Sequence, residues 1–202
     1  MIEGCEAFIL ANTRLQTPPH TPELVLHLAD EITPIWRKTE EELGQMGLPP
    51  PFWAFAWAGG QALARHILDN PDIVAGKRVV DFASGSGIVA IAAMKAGAAL
   101  SLNAAANGVS CDFTSTNLLD APCPAADVVL AGDICYEKPL AERVVAWLKA
   151  ARDTGSTVLV GDPGRTYFPK DGMTKLAEYQ VATTRELEDM EVKKTGVWSF
   201  IA

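Results

Sequence analysis

The run Asp81-Phe82-Ala83-Ser84-Gly85-Ser86-Gly87 is the stretch best suited to hold a charged small molecule. An acid ends a short β-branched strand, two glycines follow one residue apart, and a small-residue helix opens directly after them. Residues without Cβ at Gly85 and Gly87 permit positive φ and let a ligand approach the backbone. Exposed amides at the start of the helix can then hold a carboxylate or phosphate. A P-loop is excluded, since no Gly-Lys-Ser/Thr follows. A dinucleotide fingerprint requires a third small residue, and Ala90 stands at that position counted from Gly85, so a nicotinamide-dependent oxidoreductase is one candidate class. The four cysteines, Cys5, Cys111, Cys123 and Cys135, form no CxxC pair and have no metal-like spacing with His20, His27 or His66. Reduced structural thiols and no bound metal are expected.

The surrounding elements read as repeated strand, turn and helix from Phe52 onward. Strands are expected at Arg78–Phe82, Cys111–Thr116, Asp127–Ala131, Thr157–Gly161, Val181–Thr184 and Val197–Ile201. Helices are expected over Gly60–Leu68, from Gly87 through Ala96, over Glu137–Ala151, and as a short piece over Met173–Tyr179. Such alternation implies a Rossmann-like, doubly wound α/β fold with helices on both faces of a mostly parallel sheet, and ligands at the carboxyl ends of its strands. Residues 1–50 differ in texture, with Pro18, Pro19, Pro22 and Pro34 interrupting short amphipathic pieces. They read as an N-terminal extension packed on a main domain of residues 51–202, with a helix over Glu6–Leu15, a short strand over Leu24–Leu28 and a second helix from Thr33-Pro34 to Gly44.

The chain has 202 residues, 49% of them hydrophobic and 21% charged, the composition of an ordinary globular protein. A net charge of −8 argues against binding a nucleic-acid backbone, which needs clustered Lys and Arg. No apolar run approaches the length of a membrane span. The acidic start Met1-Ile2-Glu3-Gly4 lacks the basic and apolar regions of a secretory signal, so a cytoplasmic location is expected.

Taken with three further stretches, the glycine turn resembles the first motif of class I, seven-β-strand S-adenosylmethionine methyltransferases. Those stretches are Pro51-Phe52-Trp53-Ala54-Phe55-Ala56-Trp57-Ala58-Gly59-Gly60-Gln61-Ala62-Leu63, Gly132-Asp133-Ile134-Cys135-Tyr136-Glu137 and Gly161-Asp162-Pro163-Gly164-Arg165. Together they resemble the protein-lysine methyltransferases that modify the β subunit of electron-transfer flavoprotein and their bacterial relatives, over roughly residues 50–200. The resemblance implies S-adenosylmethionine as cofactor, held by Trp57, Asp81, Ala83, Ser84, Gly85, Gly87 and Asn117. It implies Asp133 and Tyr136 as catalytic residues, Asp162 and Arg165 as shaping the substrate-lysine channel, and electron-transfer flavoprotein as the protein partner.

The chemistry suits these residues. A lysine starts near pKa ~10.4 and must lose a proton before it can attack a sulfonium methyl; a carboxylate can hold the ammonium first, and an aromatic face can orient it. Plain structural roles stand beside each assignment: a cap for the following helix at Asp133, packing for Tyr136 and for the alternating Trp53, Phe55 and Trp57, turns at Asn117 and Pro163-Gly164, a structural His66, and a solvated face for Glu186, Glu188, Asp189 and Glu191. One departure from the family pattern stands out. Gly97 to Gly108 contains no acid to bind ribose hydroxyls and no β-branched run. The sheet is therefore one strand short, or a segment is missing after residue 99, the second being favoured; an abnormal junction between Ala98 and Ser101 is expected. A methyltransferase of another protein or of a small amine is the near alternative, and a non-catalytic binding module on the same fold is a third reading.

Overall fold

The computed structural model describes residues 5–29, 51–98, 114 and 117–201. Its centre is a five-stranded sheet. Strands β3 (Val79–Phe82), β4 (Val128–Gly132) and β5 (Thr157–Asp162) run parallel, and β7 (Val192–Phe200) and β6 (Met173–Ala182) complete the order β3-β4-β5-β7-β6 by antiparallel pairing. The strand expected at Cys111–Thr116, apart from Thr114, the helix expected at Thr33–Gly44 and the junction from Ala99 to Ser101 lie outside the described residues.

Side chains that alternate along β4 explain the layering. Val128 and Leu130 face a core built with helix α2 (Ala58–Asp69) and helix α3 (Ile88–Lys95). Val129 and Ala131 face the other core, formed with helix α4 (Lys138–Asp153) through Val144, Trp147 and Leu148. Helices therefore cover both faces, as the alternation of elements implies.

Three local expectations are corrected. Met173–Tyr179 is not a helix: it belongs to β6, paired with β7 from Met173↔Phe200 to Ala182↔Val192. Its Met, Lys, Leu, Ala and Glu favour a helix locally, but hairpin pairing along the whole segment outweighs that preference. The helix at the N-terminus stops earlier than Leu15. Helix α1 (Cys5–Asn12) is closed by the Asn12 and Thr13 side chains donating to the carbonyls of Phe8 and Ile9. The chain then forms β1 (Arg14–Gln16), antiparallel to β2 (Leu26–Leu28). Finally, the spacing of Trp53, Phe55 and Trp57 would put all three on one side if the segment were extended, and it is not extended throughout, because Phe52–Ala54 is a 3-10 turn following Pro51.

Leu24, Leu26 and Leu28 are buried in the same core as α2. The short helix α5 (Arg185–Glu188) joins β6 to β7.

Candidate active site

Helix α2 meets the sheet backbone to backbone, and that contact sets the floor of the site. A Cβ on Gly59 would stand 2.5 Å from the Gly161 carbonyl oxygen and 2.8 Å from the Asp133 nitrogen, and one on Gly132 would stand 2.8 Å from the Gly60 Cα. Any side chain at these positions would push the N-terminus of α2 off the ends of β4 and β5.

Above this floor opens a cavity of about 590 Å³ at the carboxyl ends of β3 and β4. It is lined by Trp57, Asp81, Ala83, Ser84, Gly85, Asn117, Asp133, Tyr136 and Arg165 among others, so most of the residues singled out from the sequence share one space. Gly87 and Asp162 are not in its wall.

The glycine turn is formed as anticipated. Gly85 has φ +51°, with nothing closer than 3.9 Å to where a Cβ would be, and Gly87, at φ 78°, caps α3. Its amide donates to the Ser84 carbonyl at 2.7 Å. Asp81 is buried, its Oδ2 accepting from the Ala90 amide at 3.0 Å in the first turn of α3. Asp81 therefore braces the turn from beneath, and burial pushes its carboxyl up to about 7. A folded-state value above the unfolded one means that ionisation opposes folding: the cost is full above about pH 7 and fades as the pH falls toward the unfolded value. Asp81→Asn, which keeps an oxygen for the Ala90 amide, should therefore stabilise the protein at pH 8, by at most roughly 4 kcal/mol. The gain should shrink steadily at pH 6 and pH 5. Parallel thermal melts check this, and a gain independent of pH would contradict it.

Asn117 is tied down locally. Its Oδ1 accepts from the Leu119 amide at 3.2 Å and its Nδ2 donates to Asp120 at 2.8 Å, so it caps the turn Leu118–Asp120 while facing the cavity. Trp57 donates from Nε1 to the Phe52 carbonyl at 2.9 Å. Phe52 packs against Tyr136 at 5.4 Å between centroids, and both are exposed at the mouth. His66 is held by Tyr179, whose hydroxyl lies 3.0 Å from its Nδ1, away from the cavity. Cys135 is buried and its thiol is pushed up to about 12 by burial and then by Asp162 and Asp133, so it stays protonated and unreactive. Among the described residues no group of His, Cys, Asp and Glu could hold a metal ion.

Asp133 carries the strongest local signature. It adopts φ 59°, a left-handed conformation that a non-glycine residue rarely holds. Helix α4 is preceded by Glu137 at its N-cap, so Asp133 does not cap it. Instead its Oδ2 accepts from the Gly59 amide at the start of α2 at 2.8 Å, and its Oδ1 accepts from Arg165 Nε at 2.6 Å. Arg165 reaches this position because Asp162 Oδ1 accepts from the amides of Gly164 at 2.7 Å and Arg165 at 2.8 Å, turning the chain back at the end of β5. Burial pushes Asp162 up to about 7 as well, and its Oδ2 has no hydrogen-bond partner among the described residues.

One participant was missed from sequence. Glu188, expected on a solvated face, has a fully buried side chain and accepts from Arg165 Nη2 at 2.9 Å and, more weakly, from the Ala58 amide at 3.4 Å. Burial, and then the Asp133 charge, raise its carboxyl above the usual range. Its acidic neighbours in sequence hide it; only the apolar spacing of Leu187 beside it hints that this short turn faces inward.

A doubly wound sheet, a glycine turn and an aromatic-lined cavity at the carboxyl ends of the strands define the class I methyltransferase fold. The crystal structure of magnesium protoporphyrin IX methyltransferase from Synechocystis PCC 6803, with bound SAM, shares it: 14% identity, 86% of this chain and 87% of that one, TM-score 0.51. No family model matches the chain. Full-length relatives do: the electron transfer flavoprotein beta subunit lysine methyltransferase of Xenopus laevis is 36% identical, covering 96% of this chain and 86% of the relative. The Homo sapiens protein of the same name is 34% identical over 96% of this chain and 81% of its own length. The chain belongs to the electron transfer flavoprotein beta subunit lysine methyltransferase family.

Proposed function

We propose that this protein transfers methyl groups from S-adenosylmethionine to lysine side chains of the β subunit of electron-transfer flavoprotein. The observation that carries this reading is the single cavity in which the Gly85 turn and the Asp133–Tyr136 pair stand side by side. The names of near-full-length relatives supply the acceptor. An open backbone at Gly85, amides at the start of α3 and the Trp57 ring fit a nucleoside bearing a charged amino-acid tail. Trp57, Ser84, Gly85 and Asn117 would hold it from the cavity wall, with Asp81, Ala83 and Gly87 shaping the turn. When bound, the cofactor supplies a methyl group on a sulfonium, transferred by in-line displacement.

The chain's own residues then do four things. Asp133 receives the acceptor ammonium, since its Oδ1 has lone-pair capacity beyond the bond from Arg165. The exposed Tyr136 and Phe52 guide the lysine stem, and the Tyr136 ring offers a cation–π face. The apolar rings around the mouth exclude water, which favours the neutral amine needed for attack, and the carboxylate of Asp133 takes or relays the departing proton.

The same reading places the protein in the cytoplasm, supported by the free thiols of Cys123 and Cys135. The net charge of −8 speaks for a protein partner over nucleic acid. Among the described residues no helix is long and apolar enough to cross a membrane. The burial of Leu24, Leu26 and Leu28 against α2 supports residues 1–50 as an extension packed on the domain of residues 51–202.

The test is incubation of purified electron-transfer flavoprotein with the protein and methyl-labelled cofactor, with mass spectrometry of the β subunit and calorimetric titration of S-adenosylmethionine and NAD. Methyl-lysine on the β subunit with cofactor-specific heat is expected. Heat with NAD alone would favour an oxidoreductase, and heat with neither would favour a non-catalytic module.

A further inference from the structure

Glu188 sits in α5, between the two strands farthest from the glycine turn, yet its carboxylate reaches the catalytic corner. Two carboxylates grip the opening of α2, Glu188 at the Ala58 amide and Asp133 at the Gly59 amide. The same two carboxylates hold opposite ends of one guanidinium, Asp133 at Nε and Glu188 at Nη2 of Arg165. The guanidinium is further fixed over the Trp57 ring, 5.9 Å from its centroid.

The sharing of charge is unequal. Glu188 is ion-paired with two cations, Arg165 at 2.9 Å and Lys193, whose Nζ stands 3.8 Å from its Oε2 without hydrogen-bonding it. Asp133 has a salt bridge with Arg165 alone among the described residues. With Arg165 divided between the two, Asp133 is left incompletely neutralised, and it is Asp133 and Arg165, not Glu188, that line the cavity. A guanidinium released from Glu188 would turn its fork onto Asp133 in the bidentate geometry that Arg and carboxylate prefer, occupying the oxygen an acceptor needs.

Resting on the lysine-methyltransferase reading above, we infer that Glu188 is a positioning residue for the acceptor: by holding Nη2 of Arg165 it keeps the guanidinium from closing on Asp133 and preserves a negative charge facing the substrate ammonium. Glu188 does not touch the substrate. It acts through Arg165 on Asp133, and its effect falls on recognition of the lysine.

The experiment compares wild type, Glu188→Gln and Glu188→Ala, with steady-state kinetics on electron-transfer flavoprotein at saturating cofactor. Calorimetric binding of the unmethylated acceptor without cofactor gives an independent readout. Gln retains an oxygen for Arg165 and Ala58 but not the charge. Glu188→Gln is expected to raise the acceptor KM about fivefold and to weaken acceptor binding in parallel, with kcat within about twofold of wild type. Glu188→Ala, which frees Nη2 altogether, is expected to lower kcat/KM at least about tenfold, and S-adenosylmethionine affinity should stay within about twofold in both. If Glu188 only braces the fold, both variants will melt earlier yet keep wild-type KM and acceptor affinity per folded molecule, which overturns the inference. Should Glu188→Ala fail to fold, the near-isosteric Gln variant decides alone. Wild type that methylates no acceptor would instead overturn the functional reading beneath it.

Discussion

Asp133→Asn is expected to lower methyl transfer to electron-transfer flavoprotein about 100-fold while S-adenosylmethionine affinity changes less than about twofold. Asn is the informative replacement because it tolerates the left-handed conformation that Asp133 adopts at φ 59°. Ala would add backbone strain of about 1–2 kcal/mol and confuse the result. The amide oxygen can still accept from Gly59 or from Arg165, but not from both through two oxygens, and the negative charge that holds an ammonium is gone. Stability should fall by about 1.5–3 kcal/mol, the worth of one lost bond to a charged group. Single-turnover assays with melting curves in parallel separate the two effects. Full activity per folded molecule would mean that Asp133 only fastens α2 to the sheet, and catalysis would then have to rest elsewhere in the cavity.

The companion result concerns the other end of the cavity. Gly85→Arg should weaken S-adenosylmethionine binding at least about 100-fold in a protein that still folds. The backbone at Gly85 has φ +51° and open space where a Cβ would be, so the new side chain costs local strain of about 1–2 kcal/mol and collides with nothing in the turn itself. It would extend into space bounded by the cavity wall, where the ligand must come close to the main chain. Gly85→Ala carries the strain without the bulk and should lose far less affinity, which isolates the steric term. Calorimetric titration of both folded variants gives the answer, and unchanged affinity in Gly85→Arg would remove the turn from the cofactor site.

How far the sequence leads depends on the range of the interactions involved. The turn from Asp81 to Gly87 was legible because its causes are local: a strand end, positive-φ glycines and a helix start within a few residues. Asp133 stood out for the same reason, at the end of the β-branched strand β4. The pairing of Met173–Ala182 with Val192–Phe200 was not legible, because its cause is a partner strand across a turn and its own residues favour a helix. Glu188 was hidden by a similar cause: an acid among acids is read as solvated, and its burial follows from Arg165, reached only after the chain has folded. The bend at Phe52–Ala54 likewise defeats an alternating aromatic pattern, since Pro51 starts a turn that brings Trp53 and Trp57 into the cavity wall and buries Phe55 behind them, with Ala29 and Ala54 in the cluster on which both tryptophans pack.

The bare-backbone contact between Gly59 and Gly60 on the helix and Gly132 and Gly161 on the strands has less freedom to evolve than the side chains of the cavity wall beside it. Where main chain rests on main chain there is no side chain to exchange, so the seat of α2 on the ends of β4 and β5, and with it the Gly59 amide from which Asp133 accepts, is a fixed gauge. On the proposed reading, divergence toward a new methyl acceptor would run through side chains of the cavity wall outside the Asp133–Tyr136 pair, Phe52 and Trp53. Library design aimed at altered acceptors can therefore leave the four glycines untouched and place its diversity at those side chains.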